Sequence, residues 1–279
     1  MVSNPDDKLV TFIRSRRGWS GFGLAEVWEF RELLYLLIWR EIKGRYRQMA
    51  LGPTWIILKP FVSMVVLSLV FGKLAKLPSD GVPYPLFSYT GLLPWTLFTV
   101  SLSKASTSLV SNMSVISKVY FPRLVVPISN AFAGLVDFSM SFLILIGMML
   151  FYGYVPGLKM LMLPVYLLLA VTSALAVGLW LATLAVKFRD VAYGIEHMLQ
   201  VLMYLTPVVY PASMVPEEWR TLYLLNPMAQ VVEGFRWAML DAGQPPDIMT
   251  LAVFGIVLML LISGAQLFCR TERNIVDLM

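Results

Sequence analysis

Few residues in this chain are equipped for covalent or metal chemistry. There is one histidine, His197, and one cysteine, Cys269, which excludes a multi-histidine metal site and an internal disulfide. The carboxylates inside the apolar stretches, Asp137, Asp190 and Glu196, form no evident acid–base pair or metal set. A phosphate-cradling loop of the form G-x-x-x-x-G-K-[ST] does not occur. What remains is the chemistry of surfaces: basic amphipathic segments, and isolated charges held against apolar surroundings.

The elements that must position these groups are membrane helices. The chain has 279 residues, 58% hydrophobic and only 14% charged, with a mean hydropathy of +0.73 and its apolar residues gathered in long blocks. Candidate spans run Trp55–Phe71, Leu86–Val110, Leu124–Phe151, Met160–Val186, Val191–Tyr210 and Ile248–Phe268. The expected fold is all-α and integral to the membrane, with six spans and both termini on one side. Placing that side in the cytoplasm puts fifteen Lys and Arg inside and five outside, the outer five being Lys73, Lys76, Lys159, Arg220 and Arg236. The net charge of +5 is thereby explained by topology, and a nucleic-acid partner is not required. Residues 1–23 read as a polar cytoplasmic lead-in with no signal-peptide pattern. Residues 1–53 form the N-terminal segment and residues 54–279 the six-span domain.

Ahead of the first span, Leu24, Val27, Trp28, Leu34, Leu37, Ile38 and Ile42 recur at helical steps, with Arg40, Lys43 and Arg45 on other faces. The longest apolar run there, Leu33–Trp39, is far short of the roughly 20 residues a span needs, so this helix lies in the interface. Residues 211–247 are neither span nor ordinary loop. Pro216 opens a short helix through Trp219, and Asn226 caps a second that starts at Pro227 and carries Phe235 and Trp237. They read either as an outer loop anchored by interfacial aromatics or as a re-entrant hairpin or lid lying in the interface. Asp137, near the middle of the third span, either lines a path or braces that span against Lys59 or Lys104.

Seven fragments in order carry a resemblance. They are Arg40-Glu41-Ile42-Lys43-Gly44-Arg45-Tyr46 with Leu51-Gly52-Pro53-Thr54-Trp55, Gly91-Leu92-Leu93-Pro94-Trp95, and Val115-Ile116-Ser117-Lys118-Val119-Tyr120-Phe121-Pro122-Arg123. Leu135-Val136-Asp137-Phe138, Phe188-Arg189-Asp190-Val191, Pro207-Val208-Val209-Tyr210-Pro211, and Leu225-Asn226-Pro227-Met228-Ala229 with Glu233-Gly234-Phe235-Arg236 complete the set. Together they resemble the permease subunit of type 2 ABC exporters for polysaccharides, which move O antigen, capsule and teichoic acid chains.

The resemblance implies a homodimer in the bacterial inner membrane, driven by two separate ATPase subunits that bind ATP and magnesium. No cofactor is then expected in this chain. It also implies that residues 111–123 form a coupling helix, with Ser114, Val115, Ile116, Ser117 and Lys118 meeting the ATPase and Arg189, Asp190, Arg40 and Arg45 as further contacts. A path for a lipid-linked glycan calls for aromatic faces and hydroxyls. Trp95, Phe98, Trp180, Tyr204 and Tyr210, with Asp137, are the lining candidates, and Ser101, Thr107 and Ser139 the polar company. Pro216, Trp219, Asn226, Pro227, Phe235 and Trp237 are the gate candidates. An exporter of drugs or lipids, a membrane-embedded glycosyl- or acyltransferase, and a non-transporting scaffold are the competing readings.

Overall fold

The computed structural model describes residues 24–46, 54–116, 121–188 and 190–275. Among them the structure is all helical, with no strand. The order is α1 (Leu24–Glu29), α2 (Arg31–Tyr46), α3 (Thr54–Leu67, extended by wide π-type turns to Leu74) and α4 (Tyr84–Ser106). Two four-residue turns follow, α5 (Ser108–Ser111) and α6 (Met113–Ile116), then α7 (Val125–Phe132), α8 (Gly134–Phe151) and α9 (Leu163–Lys187). The chain closes with α10 (Asp190–Tyr204), α11 (Glu217–Leu224), α12 (Pro227–Leu240) and α13 (Ile248–Ile275).

α4 and α9 form the centre of the bundle, and their close approach depends on a small residue. A Cβ added to Gly178 on α9 would stand 2.8 Å from the Ala105 Cβ on α4. α13 packs along α9 in the same manner, with Gly264 against the Trp180 ring and the Trp180 indole N–H donating to the Leu260 carbonyl at 3.3 Å. α3 stands at the periphery. Only Pro60 and Met64 of α3 are buried, while Trp55, Phe61, Val62 and Val66 are exposed.

Four helical stretches are long and apolar enough to cross a membrane: Thr54–Leu74, Val125–Phe151, Leu158–Lys187 and Ile248–Thr271. The other two expected spans fall short for opposite reasons. α4 has 23 residues, about 35 Å at helical rise, so its length suffices. Its apolarity does not, because α4 is wrapped by other helices and keeps hydroxyls that bond to its own backbone, as Thr90 does to Leu86 O and Thr96 to Leu92 O. α10 has 15 residues, about 22 Å, and ends at Tyr204, six residues before the expected limit. Pro207 lacks the N–H that would bond back to the turn before it and its ring crowds that turn, so the helix stops there.

Chain direction places the α3–α4, α8–α9 and α12–α13 connections at one end of the bundle. α2 and the links α4–α7 and α9–α10 lie at the other end. Each end has its own apolar cluster, a large one around α4, α8, α9 and α12 and a smaller one under α1, α2 and α7.

Candidate functional site

At the end away from α2, the chain after α10 runs without regular structure from Leu205 to Pro211. Thr206, Pro207, Val208 and Val209 are nevertheless buried, which leaves their backbone carbonyls to be satisfied by something other than a helix. Arg236 on α12 does this. Its Nη2 donates to Val208 O at 2.9 Å and its Nη1 to Tyr210 O at 3.4 Å, while Tyr84 Oη donates to Val209 O at 2.7 Å. The guanidinium lies 3.6 Å above the centre of the Phe87 ring and is neutralised by Glu233, one turn earlier on α12, at 3.1 Å.

The side chains of this pair are 1% and 5% exposed. Burial pushes the Glu233 carboxyl up and the Arg236 guanidinium down from their usual ranges, and their mutual attraction works against both shifts. Two glycines make room for the clamp. A Cβ on Gly91 would stand 2.9 Å from Arg236 Nη2, and one on Gly234 would stand 2.1 Å from the Tyr166 ring.

The two short helices at this end differ from each other. Every residue of α12 except Pro227 and Trp237 is buried, with Phe235 edge-on to Phe138 at 6.0 Å between centroids. Asn226 caps it as expected, its Oδ1 accepting from Met228 N at 3.0 Å while its Nδ2 donates to Thr206 Oγ1, also at 3.0 Å. α11 has no buried residue, and Trp219 on it is 60% exposed. The interfacial-loop reading of the whole segment therefore fails for α12. Arg236, counted among the outer-loop charges, is one of the most buried side chains among the described residues.

At the other end, α2 is joined to the bundle by polar contacts nearer the surface. Lys104, near the end of α4, pairs with Glu41, their side chains 29% and 27% exposed. Arg40 Nη2 donates to Asn112 Oδ1 at 2.6 Å, tying α2 to the link between α5 and α6. Ile116 is buried with Leu37, Leu109, Phe121 and Phe268. It anchors the link to the bundle. Ser117, Lys118 and Arg189 lie outside the described residues, as do the side chains of Arg45, Ser114 and Val115.

A match to the ABC-2 type transporter family covers residues 32–240, and so includes both ends of this arrangement. This chain belongs to the ABC-2 type transporter family. Among its relatives are proteins named for O-antigen export and for polysialic acid transport. One is the O-antigen export system permease protein RfbA of Myxococcus xanthus, 32% identical over 242 residues, covering 85% of this chain and 92% of the relative. A Klebsiella pneumoniae protein of the same name is 27% identical over 74% of this chain and 79% of its own length. The polysialic acid transport protein KpsM of Escherichia coli is 23% identical over 91% of this chain and 97% of its own.

In this ABC-2 chain the lining candidates separate. Trp95 and Phe98 are buried together with ring centroids 5.6 Å apart, inside the chain's own core. Trp180 sits at the α9–α13 crossing. Tyr204 is exposed and joined to Tyr210, whose hydroxyl donates to Tyr204 O at 2.8 Å and lies 3.3 Å from the Tyr223 hydroxyl. Asp137 is half-buried one turn into α8, and Lys104, one of its expected partners, is taken by Glu41. Asp190 is exposed at the start of α10. Pro216 precedes α11, and Trp237 lies under the Lys159 ammonium at 5.2 Å.

One feature went unread in the sequence. The Glu233-x-x-Arg236 spacing places both side chains on one helix face, yet the link to Val208 spans 28 residues and no periodicity reports it. The polar residues of the fifth expected span, Glu196, His197 and Gln200, share with Tyr193 an exposed face of α10 opposite the buried Ile195 and Leu199. Their steps of three, one and three residues are the helical signal of a common face.

Proposed function

We propose that this chain is the membrane-spanning subunit of an ATP-driven exporter that moves a lipid-linked polysaccharide, an O antigen or similar glycan, across the bacterial inner membrane. The observation that carries this reading is the near end-to-end match to O-antigen export permeases, which leaves little of either chain unaccounted for. Two copies enclose the path, and two ATP-binding cassette subunits supply the energy from the cytoplasm. α4 and α10 complete six passes and put both termini in the cytoplasm. The short α10 suffices because the irregular residues 205–211 continue its course, and the Arg236 clamp satisfies their backbone.

In this reading the ATPase meets the stretch from Ser114 to Lys118, together with Arg189 and Asp190. Arg40 and Glu41 make α2 move with that stretch, since each bonds to the α4–α6 region. α4 carries the displacement to the opposite end, where Tyr84 contacts the clamp. There α11 is the moving part of the gate and α12 its fixed mount. The polar face of α10 lines the path, because an exposed stripe of Glu196, His197 and Gln200 is costly against lipid and favourable against water and sugar hydroxyls.

The test is complementation of a strain lacking this gene, with surface glycan and cytoplasmic lipid-linked glycan both measured. Export is expected to fail without the chain, to return with it, and to require the ATP-binding subunit that co-purifies with it. Surface glycan that persists in the deletion strain overturns the proposal. So does sugar transfer by the purified chain alone.

A further inference from the structure

Beneath α11 the structure holds a cavity of about 550 Å³. Phe98, Ser173 and Met228, all buried, form its floor, while the exposed Leu205, Trp219 and Leu222 mark its mouth. The few polar side chains in its wall are bonded elsewhere. Ser173 Oγ donates to Leu169 O at 2.6 Å, Asn226 is held by Thr206 and the Met228 N–H, and the Tyr223 hydroxyl meets that of Tyr210. A water needs two to four polar partners to settle in such a space, and a sugar needs more, so neither is provided for.

We infer that this cavity is a binding site for one acyl chain of a bilayer phospholipid, which fills the space between α10, α11 and the α4–α9 core and sets how far α11 stands from them. Size selects the occupant. A cavity of about 150 Å³ accommodates one benzene, so this one has room for roughly twenty carbons. That fits a single acyl chain and is several-fold too small for a long polyprenyl chain. Burying apolar wall against hydrocarbon also restores the dispersion contacts that an empty cavity forfeits. The inference concerns the lipid around the exporter and stands apart from the nature of its cargo.

The experiment uses the purified exporter with its ATP-binding subunit, in nanodiscs that contain a phospholipid with a diazirine in mid-chain. Irradiation followed by peptide mapping is expected to label the segments of Leu202, Leu222 and Met228. Val177→Trp, which fills the cavity from α9, is expected to reduce that labelling at least fivefold and to leave labelling of the outward residues Leu251 and Met259 on α13 unchanged. Ser173→Leu provides the same test from another position if the first variant does not fold. Labelling of α13 without labelling of the cavity wall overturns the inference, as does cavity labelling that neither variant reduces. Polyprenyl phosphate added at a few mole per cent is expected to leave the labelling intact, and displacement by it would overturn the assignment to phospholipid.

Discussion

The two ends of the bundle each hold a non-crossing helix against the same central helix, α4, and each carries an ion pair of different character: Glu233–Arg236 lies within α12 and meets α4 through the Phe87 ring, whereas Lys104–Glu41 joins α4 to α2. At the α12 end the pair is sealed, with Arg236 and Glu233 almost without solvent contact and the guanidinium also holding backbone carbonyls. At the α2 end, Lys104 and Glu41 keep about a quarter of their surface exposed and, among the described residues, make no comparable backbone contacts. Breaking a sealed pair strands a charge in apolar surroundings, whereas a half-exposed pair exchanges its partner for water at little cost. The first arrangement fixes a position and the second allows one to change. That is the division the proposed exporter would need if it is driven from one end and gated at the other.

The sharpest way to break this contrast is Arg236→Met. It leaves Glu233 buried without its partner and is expected to cost about 3–5 kcal/mol, read as a large fall in thermal stability of the purified protein. The double variant Glu233→Met with Arg236→Met is expected to recover only part of that loss. The Val208 carbonyl still lacks its donor, and an unsatisfied buried group costs about 1–3 kcal/mol. Full recovery would show that the guanidinium serves only its carboxylate. Gly234→Ala comes next, since its methyl overlaps the Tyr166 ring; a loss of about 1–3 kcal/mol is expected, relieved when Tyr166 is made Leu.

The smallest effect belongs to the other end. Lys104→Met is expected to change stability by less than about 1 kcal/mol. It is expected to lower glycan export per ATP hydrolysed, and the exchange of charges in Glu41→Lys with Lys104→Glu to restore it. A stability loss as large as that of Arg236→Met would erase the distinction between the two ends.

The sequence reading reaches the helices by apolar pattern, which is local, and charge counting, equally local, is what it offers for the sides of the membrane. It found the Asn226 cap because a side chain that bonds two residues ahead is itself a local signal. Charge counting assigns Arg236 to an outer loop and says nothing of its burial, because only the folded chain brings the carbonyls of residues 208 and 210 to it. For a similar reason Ile116 reads as a docking residue until Leu37 of α2 and Phe268 of α13 are seen around it. α4 was judged by its apolar length, while its place at the centre of the bundle let it keep hydroxyls that a lipid-facing helix would avoid. Trp95 and Phe98 were offered to a path for want of any sign of which way α4 turned them.

Amide hydrogen exchange on the exporter, compared with and without a non-hydrolysable ATP analogue, tests the central claim most directly. The account predicts that exchange changes in residues 31–46 and 108–116 and in α11, while α12 stays protected in both states. Loss of protection across α12 on nucleotide binding, with residues 31–46 unchanged, would contradict it.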